Sequence, residues 1–251
     1  MNNEEILING CKLYYIDISK EQINMLLKYM DMLKEWNKKV NLTSIIDDEE
    51  IIKKHFLDSI SIFNTELIKD NISLVDVGTG AGFPGIPIKI INPTIKVTLI
   101  DSLKKRVNFL EEVICELKLK GINAVHGRCE DFANQKDYRE QYDIATARAV
   151  ASLPVLCEYC LPYVKIGGSF IAMKGPSVIE ELDVSGNAVK VMGGELKEVI
   201  DTETSQTLIK KVNDIRERWK TAGAIPKDKY NHVWNNFHFH IERFYEHLNM
   251  D

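Results

Sequence analysis

The stretch VDVGTGAGFPGIPIKI places Gly78, Gly80, Gly82 and Gly85 within eight positions, directly behind an aliphatic run. Glycines at a strand-to-helix junction permit positive φ and let a ligand approach the backbone closely. Taken alone they also suit a plain tight turn, so their neighbours decide the chemistry. No G-K-[ST] follows, which disfavours a loop built for a nucleoside triphosphate. Asp101 closes the next strand about 20 residues on, where a carboxylate could accept both hydroxyls of a ribose. Asp76 stands inside the first strand, two residues before Gly78. A carboxylate aimed at this crevice suits a cationic cofactor better than a pyrophosphate. S-adenosylmethionine carries a sulfonium and an ammonium and no phosphate. The competing reading of Asp76 is a side chain that only accepts hydrogen bonds from loop amides.

Other reactive residues give weaker signals. His55 and Asp58, one turn apart in HFLDSI, have the look of a catalytic dyad, but a packing or loop-anchoring role is favoured. Cys157 and Cys160 form a C-x-x-C with no second ligand pair at metal spacing, and they fall inside the apolar LPVLCEYCLPYV. They are expected in the core, and no metal is expected.

The elements that must position these residues read as an alternation. Residues 19–40 form an amphipathic helix, begun by a capping box at Ser19 and Gln22, with Ile23, Leu26, Leu27, Met30, Leu33 and Trp36 at helical spacing. A second helix is predicted over 48–68, turning Ile51, Ile52, Phe56 and Ile60 inward. Strands follow at 74–78, 96–101, 123–128, 143–149 and 168–175. Helices near 84–91, 103–120, 153–164 and 177–191 intervene, the last leading to ELKEVID at 195–201. Such alternation means a parallel sheet with helices on both faces, an α/β Rossmann-like domain. Three parts are predicted: helical residues 1–70, the sheet domain 71–201, and a segment 202–251 that reads as a helical hairpin.

The 251-residue chain is 45% hydrophobic and 27% charged with net charge −5, which argues against non-specific coating of nucleic acid. No apolar run reaches the roughly 18–20 residues of a membrane span. The acidic MNNEEILING lacks a signal peptide's layout, so a cytoplasmic location is expected.

Together GTGAGFPGIP, WNKKVNLTSI, HFLDSI, LIDSLKKRVNFL and ATARAVASL resemble the glucose-inhibited division protein B family, bacterial 16S ribosomal RNA guanine-N7 methyltransferases. The likeness runs in order from about residue 10 to residue 200. It implies S-adenosyl-L-methionine as cofactor and 16S ribosomal RNA, or a precursor of the small subunit, as partner. It also implies that Gly78 and Phe83 line the cofactor, with Gly80 in the same loop, and that Cys129 and Glu130 in HGRCEDF flank the adenine. Cysteine stands at 129 where alanine is more usual. Arg148 in TARAV matches a family arginine, which either donates to guanine O6 beside N7 or braces the loop. Methylating N7 removes no proton, so no general base is needed. The alternatives are a methyltransferase acting on another RNA or a small molecule, or a cofactor-binding protein with impaired turnover. After Asp201 the likeness stops, and ERWKTAGAIPKDKYNHVWNNFHFHIERFYE is similar to a bacterial helical repeat family of unknown function.

Overall fold

Strand and helix periodicity compete wherever an apolar run is short, and here glycines and caps settle the outcome. The computed structural model describes residues 2–175 and 178–200. The predicted C-terminal hairpin therefore lies outside the described residues, as does Asp201. Residues 1–198 make one compact unit, so the N-terminal helices and the sheet belong together; a second unit runs from Val199.

Five parallel strands form one sheet in the order β3-β2-β1-β4-β5: β1 (Ser73–Val77), β2 (Lys96–Asp101), β3 (Ile122–His126), β4 (Tyr142–Arg148) and β5 (Val164–Met173). β5 begins earlier than the sequence suggested, because Val164 already pairs with Tyr142 before an irregularity in register. Strand order reverses at β1, with β2 on one side and β4 on the other. Open α/β sheets bind ligands at the carboxyl ends of strands beside such a switch point.

Side chains alternate across the sheet and build two cores. Leu74, Val97, Leu99 and Ile144 face one side, packing with α5 (Gly85–Ile91) and α6 (Lys104–Glu116). Val75, Val77, Ile100, Ala145 and Ala147 face the other, against α8 (Leu153–Cys160) and Tyr163. Cys157 and Cys160 are free and buried there, as their apolar setting implied. A short helix, α7 (Cys129–Ala133), follows β3, and α9 (Val178–Val191) follows β5; residues 194–200 carry no regular structure.

The N-terminal helices extend the first core. α1 (Asn3–Lys12) and α2 (Lys20–Asn37) bury Leu7, Leu26, Tyr29 and Leu33 completely. Both start at reciprocal capping boxes, Asn2 with Glu5 and Ser19 with Gln22. The predicted helix over 48–68 is not continuous. It divides into α3 (Asp48–Ile51), a π-helical turn (Ile52–Leu57), α4 (Asp58–Ile60) and a 3-10 turn (Ser61–Thr65). Ile51, Ile52, Phe56 and Ile60 still point inward and are fully buried. In this turn the Lys54 carbonyl accepts from Arg148 of β4, and the His55 carbonyl accepts from the Ser59 hydroxyl. No helix among the described residues is long and apolar enough to cross a membrane.

Candidate active site

The glycine loop leaves β1 at Gly78 and ends where α5 begins. Gly78, Gly80 and Gly82 have φ of +68°, +63° and +98°, in the region that side chains disfavour. Gly82 and Gly85 are also sterically fixed. A Cβ on Gly82 would lie 2.6 Å from Ile86 Cδ1 and from Tyr29 Oη, and one on Gly85 would lie 2.3 Å from Leu99 Cδ2. At Gly80 a Cβ would meet nothing within 4 Å. The loop is therefore packed from below and open at Gly80.

Two carboxylates organise it. Asp101, 3% exposed at the end of β2, accepts from Gly80 N–H at 2.9 Å through Oδ2 and from Leu103 N–H at 2.9 Å through Oδ1. Arg106 Nη1 stands 3.4 Å from the same Oδ2. Asp76 is fully buried; its Oδ2 accepts from the Thr79 hydroxyl at 2.6 Å and from Gly85 N–H at 2.8 Å. Asp76 thus ties the loop through one oxygen, while the other, Oδ1, is buried without a hydrogen-bond partner. Burial pushes its carboxyl up to about 6, against the pull of the Thr79 hydroxyl and the Gly85 amide.

Phe83 turns away from open space into an aromatic cluster, stacked with Tyr29 at 5.4 Å and with His55 at 4.6 Å between ring centroids. It is 5% exposed and packs the loop against the N-terminal helices. Tyr29 completes that contact by donating its hydroxyl to the Ala81 carbonyl.

Arg148, at the end of β4, reaches across to the π-helical turn. Its Nη1 donates to Asp58 Oδ2 at 2.6 Å and to Lys54 O at 3.0 Å, while Nη2 lies 3.2 Å from His55 Nδ1. The guanidinium sits 5.1 Å above the Phe83 ring. Of the roles considered for Arg148, bracing is the one this geometry displays. His55 and Asp58 are the bracing partners and do not form a dyad with each other. His55 is held at about 4, chiefly by burial and then by the Arg148 charge. Neutral imidazole with Nδ1 accepting from Arg148 must carry its proton on Nε2, which then donates to Thr43 Oγ1 at 2.8 Å.

Cys129 and Glu130 open α7 just past the end of β3. The Cys129 carbonyl accepts from the Tyr163 hydroxyl, and its thiol donates to Glu130 Oε2 at 3.2 Å. Burial and the adjacent Glu130 raise the thiol to about 12, so it is no nucleophile. Hence Gly78, Gly80, Asp101, Cys129 and Arg148 all stand at the carboxyl ends of β1 to β4. Sequence reasoning missed Tyr29 and Thr43. Tyr29 falls on the stripe Leu26, Met30, Leu33 at helical spacing, a signal that could have found it; Thr43 lies in the WNKKVNLTSI motif, whose internal contacts are invisible in one dimension.

A family model described as rRNA small subunit methyltransferase G matches residues 22–209. This chain belongs to that family. The ribosomal RNA small subunit methyltransferase G of Clostridium botulinum (strain Loch Maree / Type A3) is 49% identical over 231 residues, covering 89% of this chain and 97% of its own. The protein so named in Acetivibrio thermocellus is 57% identical over 198 residues, covering 78% and 81%. Residues 1–201 cannot supply 89% of 251, so the likeness to the methyltransferase G family continues past Asp201, beyond where the sequence reading ended it. Among solved structures, a SAM dependent methyltransferase from Aquifex aeolicus overlaps with a TM-score of 0.47 at 21% identity, covering 62% of this chain and 88% of that one.

Proposed function

We propose that this chain transfers a methyl group from S-adenosylmethionine to N7 of a guanine in 16S ribosomal RNA. The observation that carries the cofactor assignment is Asp76 Oδ1, a buried acceptor without a partner beside an open glycine cradle. Two carboxylates, Asp76 and the Arg106-paired Asp101, stand at the crevice, an arrangement that suits a cation better than a pyrophosphate. When bound, S-adenosylmethionine supplies an electrophilic methyl on a sulfonium.

In this reading Gly78 and Gly80 give the backbone approach, Asp76 the countercharge, and Asp101 the acceptor near the ribose. Cys129 and Glu130 bound the adenine side, and Phe83 keys the loop that carries these groups. Arg148 holds the crevice wall at Phe83, leaving the target base to be aligned by the surrounding backbone. Guanine N7 offers an in-plane lone pair and releases no proton, so alignment is the whole task. The imidazole at the crevice fits this: His55 has both nitrogens engaged and stays neutral at physiological pH, a brace and not a base.

The test is incubation with methyl-labelled S-adenosylmethionine and 16S RNA from cells that lack this modification. Label should appear at one guanine, and borohydride followed by aniline should cleave there, as for N7-methylguanine. Label at another base, or on the sugar, would sink the assignment.

A further inference from the structure

The turn that follows β4 touches the glycine loop directly. It runs over residues 149–152, and Val150 Cγ2 would lie 2.7 Å from a Cβ placed on Gly78. Its backbone is awkward: Ala149 has φ of +54°, a region non-glycine residues rarely adopt. Ser152 occupies the N-cap of α8, yet its side chain makes no capping bond. A turn of this kind needs support from elsewhere.

That support comes from Lys174 and Glu181. The register Arg148↔Met173 brings Lys174 out beside the turn. Its Nζ donates to Ala151 O at 2.9 Å and lies 2.8 Å from Glu181 Oε2. The same Glu181 oxygen accepts from Leu153 N–H at 2.6 Å, so α9 supplies the cap that Ser152 does not. Both side chains are sheltered, at 11% and 22% exposure.

We infer that Lys174 and Glu181 are positioning residues for methyl transfer, pinning the turn 149–152 against the glycine loop where the target base must be aligned. The inference rests on the methyltransferase reading above. A reaction that moves no proton depends on alignment, and a misplacement of about 1 Å can lower the rate on the order of a hundredfold.

The experiment uses the full chain and the variants Lys174→Met, Glu181→Gln, their combination, and Lys174→Arg. Hydrogen exchange over residues 149–156, calorimetric affinity for S-adenosylmethionine, and single-turnover methylation of 16S RNA are measured together. Lys174→Met should speed exchange in the turn roughly tenfold or more and slow methylation about ten- to a hundredfold, with cofactor affinity within about twofold. Lys174→Arg should recover most of the rate, and the double variant should be no slower than the slower single one. Unchanged exchange with an unchanged rate would overturn the inference. So would a rate loss matched by lost cofactor binding and a lowered melting temperature, since that is a plain stability effect. Should Lys174→Met fail to fold, Glu181→Gln keeps the side chain's shape and an acceptor for Leu153, and the same readouts decide. A wild-type chain inactive on 16S RNA would refute the methyltransferase reading instead, while the exchange data would still judge the clamp.

Discussion

Replacing Asp76 by asparagine isolates the countercharge. The carboxamide oxygen can keep the Thr79 hydroxyl and the Gly85 amide, so the loop stays tied. Its NH2 group then takes the place of the lone Oδ1 and presents a buried donor where a cation is expected. Losing a hydrogen bond to a charged group costs about 1.5–3 kcal/mol, so affinity for S-adenosylmethionine at pH 7 should fall roughly ten- to a hundredfold. The pH dependence is a second signature. With a carboxyl at about 6, free Asp76 is about nine-tenths ionised at pH 7 and only about one-tenth at pH 5. A bound cation favours the ionised form, so wild-type affinity should weaken about tenfold from pH 7 to pH 5, or about 1.4 kcal/mol. The Asp76→Asn protein should show no such slope. Calorimetry in two buffers of different ionisation heat would count the protons released on binding. The demethylated product, which lacks the sulfonium charge but keeps the ammonium, tells which cation is sensed. A wild-type affinity flat between pH 5 and 7, or an asparagine variant that binds as tightly as wild type, would refute the reasoning.

Asp76 and His55 should shape stability with opposite signs. His55 is depressed from 6.5 to about 4, so its contribution is full above pH 6.5 and lost as pH falls through about 4; Asp76 is raised from 3.8 to about 6, so its contribution is full below pH 3.8 and lost as pH rises through about 6. The two should nearly cancel in wild type. His55→Asn should then lose stability as pH rises from 4 to 6 and Asp76→Asn as pH falls from 6.5 to 4, each by about 3 kcal/mol at most, and urea midpoints that stay level in both would contradict this. Gly80→Ala meets nothing within 4 Å and bears only the backbone strain of about 1–2 kcal/mol, so it should fold yet lose cofactor affinity tenfold or more; Gly82→Ala, 2.6 Å from Tyr29 and Ile86, should instead lower the melting temperature. Equal effects of the two on melting and binding would mean the cradle is misread. Tyr29→Phe removes the donor to a buried Ala81 carbonyl and should cost about 1–3 kcal/mol in urea unfolding.

What could be read in one dimension follows from the range of the forces involved. The Ser19–Gln22 box lies within one turn, and α2 starts where it says. The strands were legible because β-rich runs end at Gly78 and Gly127 and Gly121 parts helix from strand, and alternation implied the parallel sheet though not its strand order. The break within 48–68 was not legible. Ile52, Phe56 and Ile60 stand four apart, a spacing close to one turn of either an α- or a π-helix, and the partner that occupies the Lys54 carbonyl lies 94 residues away. Asp76 and Asp101 announced themselves by their distance from the glycines. Lys174 and Glu181 did not, because their partners Ala151 and Leu153 come near only through the β4–β5 pairing.

The proposed chemistry, which transfers no proton, would also explain why the residues holding this site look ordinary. The glycine loop is gripped from two directions. On one side Tyr29, Phe56 and His55 pack on Phe83, and Asp58 neutralises Arg148; on the other Val150 presses on Gly78. Without residues before the sheet, Phe83, Ile86 and Phe109 would lose their cover, and Arg148, 14% exposed, would keep its burial cost while losing its carboxylate. Because Asp58 is 44% exposed, that loss costs less than breaking a fully buried pair, but it still leaves the sheltered guanidinium without its carboxylate. The N-terminal helices are therefore part of the candidate site's frame and not an appendage to it. They pack Phe83 between Tyr29, His55 and Phe56, a support that would suit the alignment the proposed reaction needs.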